Sequence, residues 1–147
     1  MKPWLFGCIL SAAAVAAVAA QGAAQGAAPR SVWDGVYTEE QAGRGERLSA
    51  EYCAPCHGET LEGAEAAPAL SGQLFNGNWE GVSLGELFDR IRVSMPQDAP
   101  GSLSRRQNLD VVAYLLKVGQ FPAGDRELVA EGNALAQITF VSYRSQP

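Results

Sequence analysis

Apolar residues recur at three- and four-residue steps in three stretches of the chain, and each stretch opens on a polar cap. The first begins at Thr38-Glu39-Glu40-Gln41. This has the form of a capping box, in which Thr38 caps and Gln41 reaches back. Glu39 and Glu40 suit the positive end of a helix dipole. The spacing predicts a helix to about Tyr52, with Gln41/Ala42, Gly45, Leu48 and Tyr52 facing inward. Gly43 and Gly45 are poor helix formers, and a glycine kept at 45 predicts that another helix crosses there. Ser83-Leu84-Gly85-Glu86 opens the second helix, with Leu84, Leu87, Phe88 and Ile91 on its apolar side. It should end near Ser94, because Met95 precedes a proline and is pushed away from helical ψ. Ser104-Arg105-Arg106-Gln107 opens the third, which runs to Val118 and stops at Gly119. Leu109, Val112, Ala113, Leu116 and Tyr114 form its apolar face, the expected partner of Gly45.

The remaining stretches are less regular. Trp4 to Ala20 is an uncharged apolar run behind Lys2, ending in the small residues Val18-Ala19-Ala20. It reads as a secretory signal peptide over residues 1–20. At about 17 residues it is at the lower edge of what spans a bilayer, so the chain meets a membrane only if this segment is retained. Leu5-Phe6-Gly7-Cys8 resembles a lipoprotein cleavage box, but it precedes any hydrophobic region, so Cys8 is expected to leave with the leader. Residues 21–36 read as a lead-in: an Ala/Gly/Gln-rich linker, then an arm around Trp33 that packs on the domain. A core domain is expected over residues 37–124 and a C-terminal extension packing on it over 125–147. Phe75, Trp79 and the glycines at 72, 77 and 81 suggest a turn-rich segment with large rings. The tail holds a short helical stretch near Asn133 to Gln137 and a β-prone run from Ile138 to Val141.

Chemistry enters at Cys53-Ala54-Pro55-Cys56-His57. C-x-x-C-H is the attachment pattern of a c-type haem: two thiols add to the vinyl groups on one edge, and the imidazole supplies an axial nitrogen. A thioredoxin-like pair should sit in a βαβ pattern, and none surrounds this one. A zinc site needs further Cys or His ligands. His57 is the only histidine, and Cys8 is the only other cysteine. The absence of a second histidine also counts against a peroxidase, which needs a distal acid–base group. With Met1 gone, Met95 is the only methionine, in a loop stiffened by Pro96 and Pro100. Position and elimination make its thioether the second axial ligand; the competing readings are Lys117, the α-amine, or an open iron that would serve a sensor. An axial histidine normally gives its other N–H to a carbonyl or carboxylate. A carbonyl beside Pro68 is the candidate, against a simple loop proline. Trp79 is either a propionate donor or plain core.

The 147-residue chain carries a formal net charge of −5, and losing Lys2 makes it more acidic. Nucleic acid is excluded as a partner, since such binding needs a basic footprint. Export places the cysteines outside the cytosol, so the expected location is the periplasm.

The chain resembles the class I cytochromes c: a helix leading into C-x-x-C-H, a methionine loop downstream, and a C-terminal helix crossing the first. Gly45, eight residues before Cys53, matches the family's crossing glycine. Ser49 departs from the pattern, which has an aromatic there, and Tyr52 is the expected substitute. The resemblance implies an all-α cytochrome c fold of about three to five helices around one covalently bound haem c. It implies axial ligands at His57 and Met95, and a histidine-orienting proline at Pro68. Trp33-Asp34-Gly35-Val36-Tyr37-Thr38, Met95-Pro96, Pro100-Gly101-Ser102-Leu103-Ser104 and Phe121-Pro122-Ala123-Gly124 are similar to cytochromes associated with quinoprotein dehydrogenases. The function this implies is single-electron carriage rather than enzymatic catalysis, between redox proteins such as a pyrroloquinoline-quinone dehydrogenase as donor and a terminal oxidase or another cytochrome as acceptor. The alternative is a cytochrome subunit of a larger dehydrogenase or oxidase.

Overall fold

A computed structural model describes residues 1, 30–65 and 67–143. The signal-peptide reading, Cys8 and most of the linker lie outside the described residues. In chain order the elements are β1 (Arg30–Ser31), α1 (Glu39–Tyr52), α2 (Ala54–His57), α3 (Gly72–Trp79), α4 (Leu84–Ser94), α5 (Arg105–Val118), a 3-10 turn (Leu135–Gln137) and β2 (Ile138–Thr139). The strands pair in parallel, Arg30 with Ile138 and Ser31 with Thr139. Among the described residues no helix is long and apolar enough to cross a membrane.

α5 is buried over most of its circumference, and α1 crosses it. The crossing is set by Gly45. A methyl group there would overlap the Asp110 carbonyl and come within 2.8 Å of Tyr114 Cβ, so only glycine lets the two backbones meet. The α4 face of Leu84, Leu87 and Phe88 is buried as its spacing predicts. Each such side chain is worth about 2 kcal/mol of transfer free energy. The caps of α4 and α5 are both full capping boxes, at Ser83/Glu86 and Ser104/Gln107.

At α1 the expected box is only half made. Thr38 Oγ1 accepts from the Gln41 N–H at 3.2 Å, but the Gln41 side chain does not reach back. It is buried and brackets the Leu128 backbone, donating to its carbonyl at 3.0 Å and accepting from its N–H at 2.7 Å. A buried amide satisfied on both ends outcompetes an exposed cap. The inward face of α1 also differs by one position: Gln41, Ala42, Gly45 and Ser49 are buried, whereas Tyr52 is exposed. The turn-rich reading of 72–81 is corrected too, since residues 72–79 form α3. Phe75 is buried there, and its ring meets Phe140 edge-on at 6.1 Å. This tertiary anchor overrides the low helix propensity of two glycines.

The N-terminal arm and the tail are stitched to each other and to the helices. Val32 and Tyr37 are buried. Trp33 Nε1 donates to the Val141 carbonyl at 2.8 Å, and the Tyr37 hydroxyl donates to the Phe121 carbonyl at 2.7 Å. Arg44 on α1 pairs with Asp110 on α5 at 2.9 Å and with Glu127 in the tail at 2.8 Å. Hydrogen bonds donated to Asp110 first, then to Glu127, hold the guanidinium more firmly charged than usual.

Candidate cofactor site

α1 ends by handing its last turn to Cys53, whose N–H donates to the Ser49 carbonyl at 2.9 Å. The Cys53 carbonyl then accepts from Cys56 at 3.1 Å and from His57 at 2.9 Å, closing the single turn of α2. Pro55 sits in the first turn of α2, where its missing N–H costs nothing. Gly58, at a φ of 83°, ends the turn. Cys53, Cys56 and His57 therefore leave one rigid turn. Cys53 is half-buried, Cys56 is exposed, and neither is in a disulfide. Burial pushes the Cys53 thiol up, and Ser49 draws it partly back.

His57 is buried, and its Nδ1 lies 2.6 Å from the Pro68 carbonyl oxygen. A carbonyl can only accept, so Nδ1 carries the proton and the Nε2 lone pair is left for a metal. What fixes that carbonyl is the loop between them. Gly63 N–H donates to the His57 carbonyl at 2.9 Å, Leu70 N–H to Leu61 at 2.8 Å, and Ser71 Oγ to Leu61 at 3.1 Å. Leu61 is the buried peg of this loop. Sequence reading did not single it out, because one leucine in a polar stretch gives no periodic signal.

Met95 caps the C-terminus of α4 in extended conformation, its N–H bonded to Ile91 at 2.9 Å. It leaves the helix where the following proline dictates, half-buried, with Pro96 buried beneath the loop. Trp79 closes α3, half-buried, with its ring 6.2 Å from Phe75. The structure thus brings His57 and Pro68 together. Met95 and Trp79 stand on separate elements, with no hydrogen bond to either.

Among the described residues no group of three or more His, Cys, Asp or Glu could hold a bare metal ion. The donor set of two unlinked thiols and one imidazole nitrogen with a fixed tautomer fits a covalently attached haem instead. Half-buried Cys53, Leu70, Trp79 and Ile91 form part of the margin of the apolar core, the surroundings a macrocycle requires.

Residues 40–115 match the family model described as cytochrome c oxidase, cbb3-type, subunit III. No curated protein matches the chain. Among solved structures, the sulfane dehydrogenase SoxCD from Paracoccus pantotrophus is similar, with 21% identity and a TM-score of 0.48. That alignment covers 74% of this chain and 61% of the other.

Proposed function

Since the chain belongs to the family of cbb3-type cytochrome c oxidase subunit III domains, and so to the class I cytochromes c with covalent haem c, we propose that it is an exported monohaem carrier of single electrons between periplasmic redox proteins. When bound, haem c supplies one-electron chemistry through its iron. The residues of this chain do the rest. Cys53 and Cys56 are the attachment thiols. His57, through Nε2, and Met95, through its thioether, would hold the iron. Met/His ligation raises a haem potential. With both residues on the iron there would be no place on it for a small-molecule substrate, which would leave outer-sphere transfer. Trp79 would donate its indole N–H to a propionate. The partners are redox proteins, with a quinoprotein dehydrogenase as donor and an oxidase or second cytochrome as acceptor. An acidic carrier, more negative than the full chain's −5 once Lys2 is lost, favours a basic or neutral docking patch on such a partner.

The observation that carries this reading is the 2.6 Å contact from His57 Nδ1 to the Pro68 carbonyl. It leaves the Nε2 lone pair free to ligate a metal next to two unlinked thiols. The test is the optical spectrum of the exported protein. The expected result is a ferric sulfur-to-iron charge-transfer band at the red edge that vanishes in Met95→Ala. A high-spin spectrum with ready carbon monoxide binding in the ferrous protein would mean an open iron and overturn the carrier reading.

A further inference from the structure

On the α5 side of the α2 turn, a pocket of about 480 Å³ opens between α1, α2 and α5. Its size falls within the range of small-molecule sites. Ser49 and Leu61, both 1% exposed, form its deep part. Ala50, Ala54 and the half-buried Tyr114 also line it, and the exposed carboxylates of Glu46 and Glu59 stand at its edge. Ser49 Oγ is buried with no hydrogen-bond partner. Burial raises the Cys53 thiol's pKa, and Ser49 Oγ lies close enough to the sulfur to lower it by hydrogen bonding, but the pair lacks the geometry of a full hydrogen bond, and a thioether at Cys53 has no proton to offer. A buried hydroxyl left this way is costly, so a ligand that donates to it recovers that cost.

We propose that this pocket binds a small organic cation, an ammonium or amidinium group on a flat apolar body. The two carboxylates select positive charge. Burial raises the pKa of the Tyr114 phenol, and the nearby Glu46 carboxylate raises it further, so the phenol stays neutral and its ring is available for stacking and cation–π contact. Ser49 Oγ accepts one N–H of the cation. Lys117 is paired with Glu39 at 3.0 Å, and the Glu46 carboxylate also acts on it, so a bound cation shares Glu46 with this lysine. The pocket meets the histidine anchor at Leu61, which lines it and also holds the loop that carries the Pro68 carbonyl.

The test is equilibrium dialysis and calorimetry of the haem-loaded protein with benzamidine and its neutral isostere benzamide. Benzamidine binds and benzamide does not at equal concentration. Glu46→Gln and Glu59→Gln, exposed changes that leave the fold intact, each weaken binding about tenfold. Ser49→Phe fills the pocket and abolishes it, while its thermal melt shows a folded protein. Equal binding of the two compounds, or benzamidine binding that survives both Ser49→Phe and the glutamine variants, would overturn the proposal. So would absence of binding at concentrations on the order of 10 mM, where even a weak site is occupied. The readout is independent of what ligates the iron, so this site and the carrier reading fail separately.

Discussion

One helical turn separates Gly45 from Ser49 on the same face of α1, and the crossing with α5 changes character between them. At Gly45 the backbones touch, and there is no room for a methyl group. At Ser49 the helices part around a pocket of about 480 Å³, with an unpartnered hydroxyl inside. A glycine brings two helices together only at its own position, and the next turn must then be filled by a large side chain or left open. Here it is left open. The same contrast holds across α2. One side is locked by the His57–Pro68 bond, and the other is the wall of the pocket.

The largest expected effect breaks the closed end. Gly45→Leu would drive a side chain into the Asp110 backbone and should cost about 3 kcal/mol or more, given what overpacking costs in a core that cannot yield. Urea denaturation of the loaded protein would show it as a large fall in midpoint. An unchanged midpoint would mean that the helices do not meet at Gly45. Next comes the clamp beside the crossing. Asp110→Ala strands a guanidinium that is 28% exposed with only Glu127 left to it. The loss should be roughly 2 kcal/mol, between the values for exposed and buried pairs. A double-mutant cycle with Arg44→Ala isolates the coupling.

The open end predicts a gain. Ser49→Ala removes the unpartnered hydroxyl and should stabilise by about 1 kcal/mol, read as a raised melting temperature; a loss would show that the hydroxyl has a partner in solution. The smallest effect concerns pH. Burial pushes the Tyr37 hydroxyl up to about 12 from an ordinary value of 10, and the Glu39 charge adds to the shift. The unfolded chain loses this proton first. The contribution of Tyr37 is therefore intact below pH 10 and is lost as pH climbs towards 12. Tyr37→Phe should flatten that alkaline decline, measured as denaturation midpoint against pH.

Much of the fold was legible because α1, α4 and α5 carry both apolar spacing and capping residues. α3 was hidden by its glycines. The signal that could have found it was the four-residue step from Phe75 to Trp79, which gains meaning only once Phe140 is known to lie against it. The Gln41 box failed for a similar reason: the residue that captures the side chain, Leu128, lies 87 positions away in the sequence. At the site, the motif named Cys53, Cys56 and His57 directly, since neighbouring residues on one turn are a local property. Ser49 was visible as a departure from the aromatic pattern. Tyr52 does not compensate for it, because its own side chain is exposed.

The central claim is that Cys53 and Cys56 are the attachment thiols of one haem on a turn whose histidine is already oriented. Intact-mass measurement of the protein recovered from the periplasm of a host that matures c-type cytochromes tests it most directly. The account predicts a chain shortened by its leader, heavier by one haem, with no thiol open to alkylation, and loss of one linkage in Cys53→Ala. A full-mass chain without haem, carrying two alkylatable thiols or a Cys53–Cys56 disulfide, would contradict it.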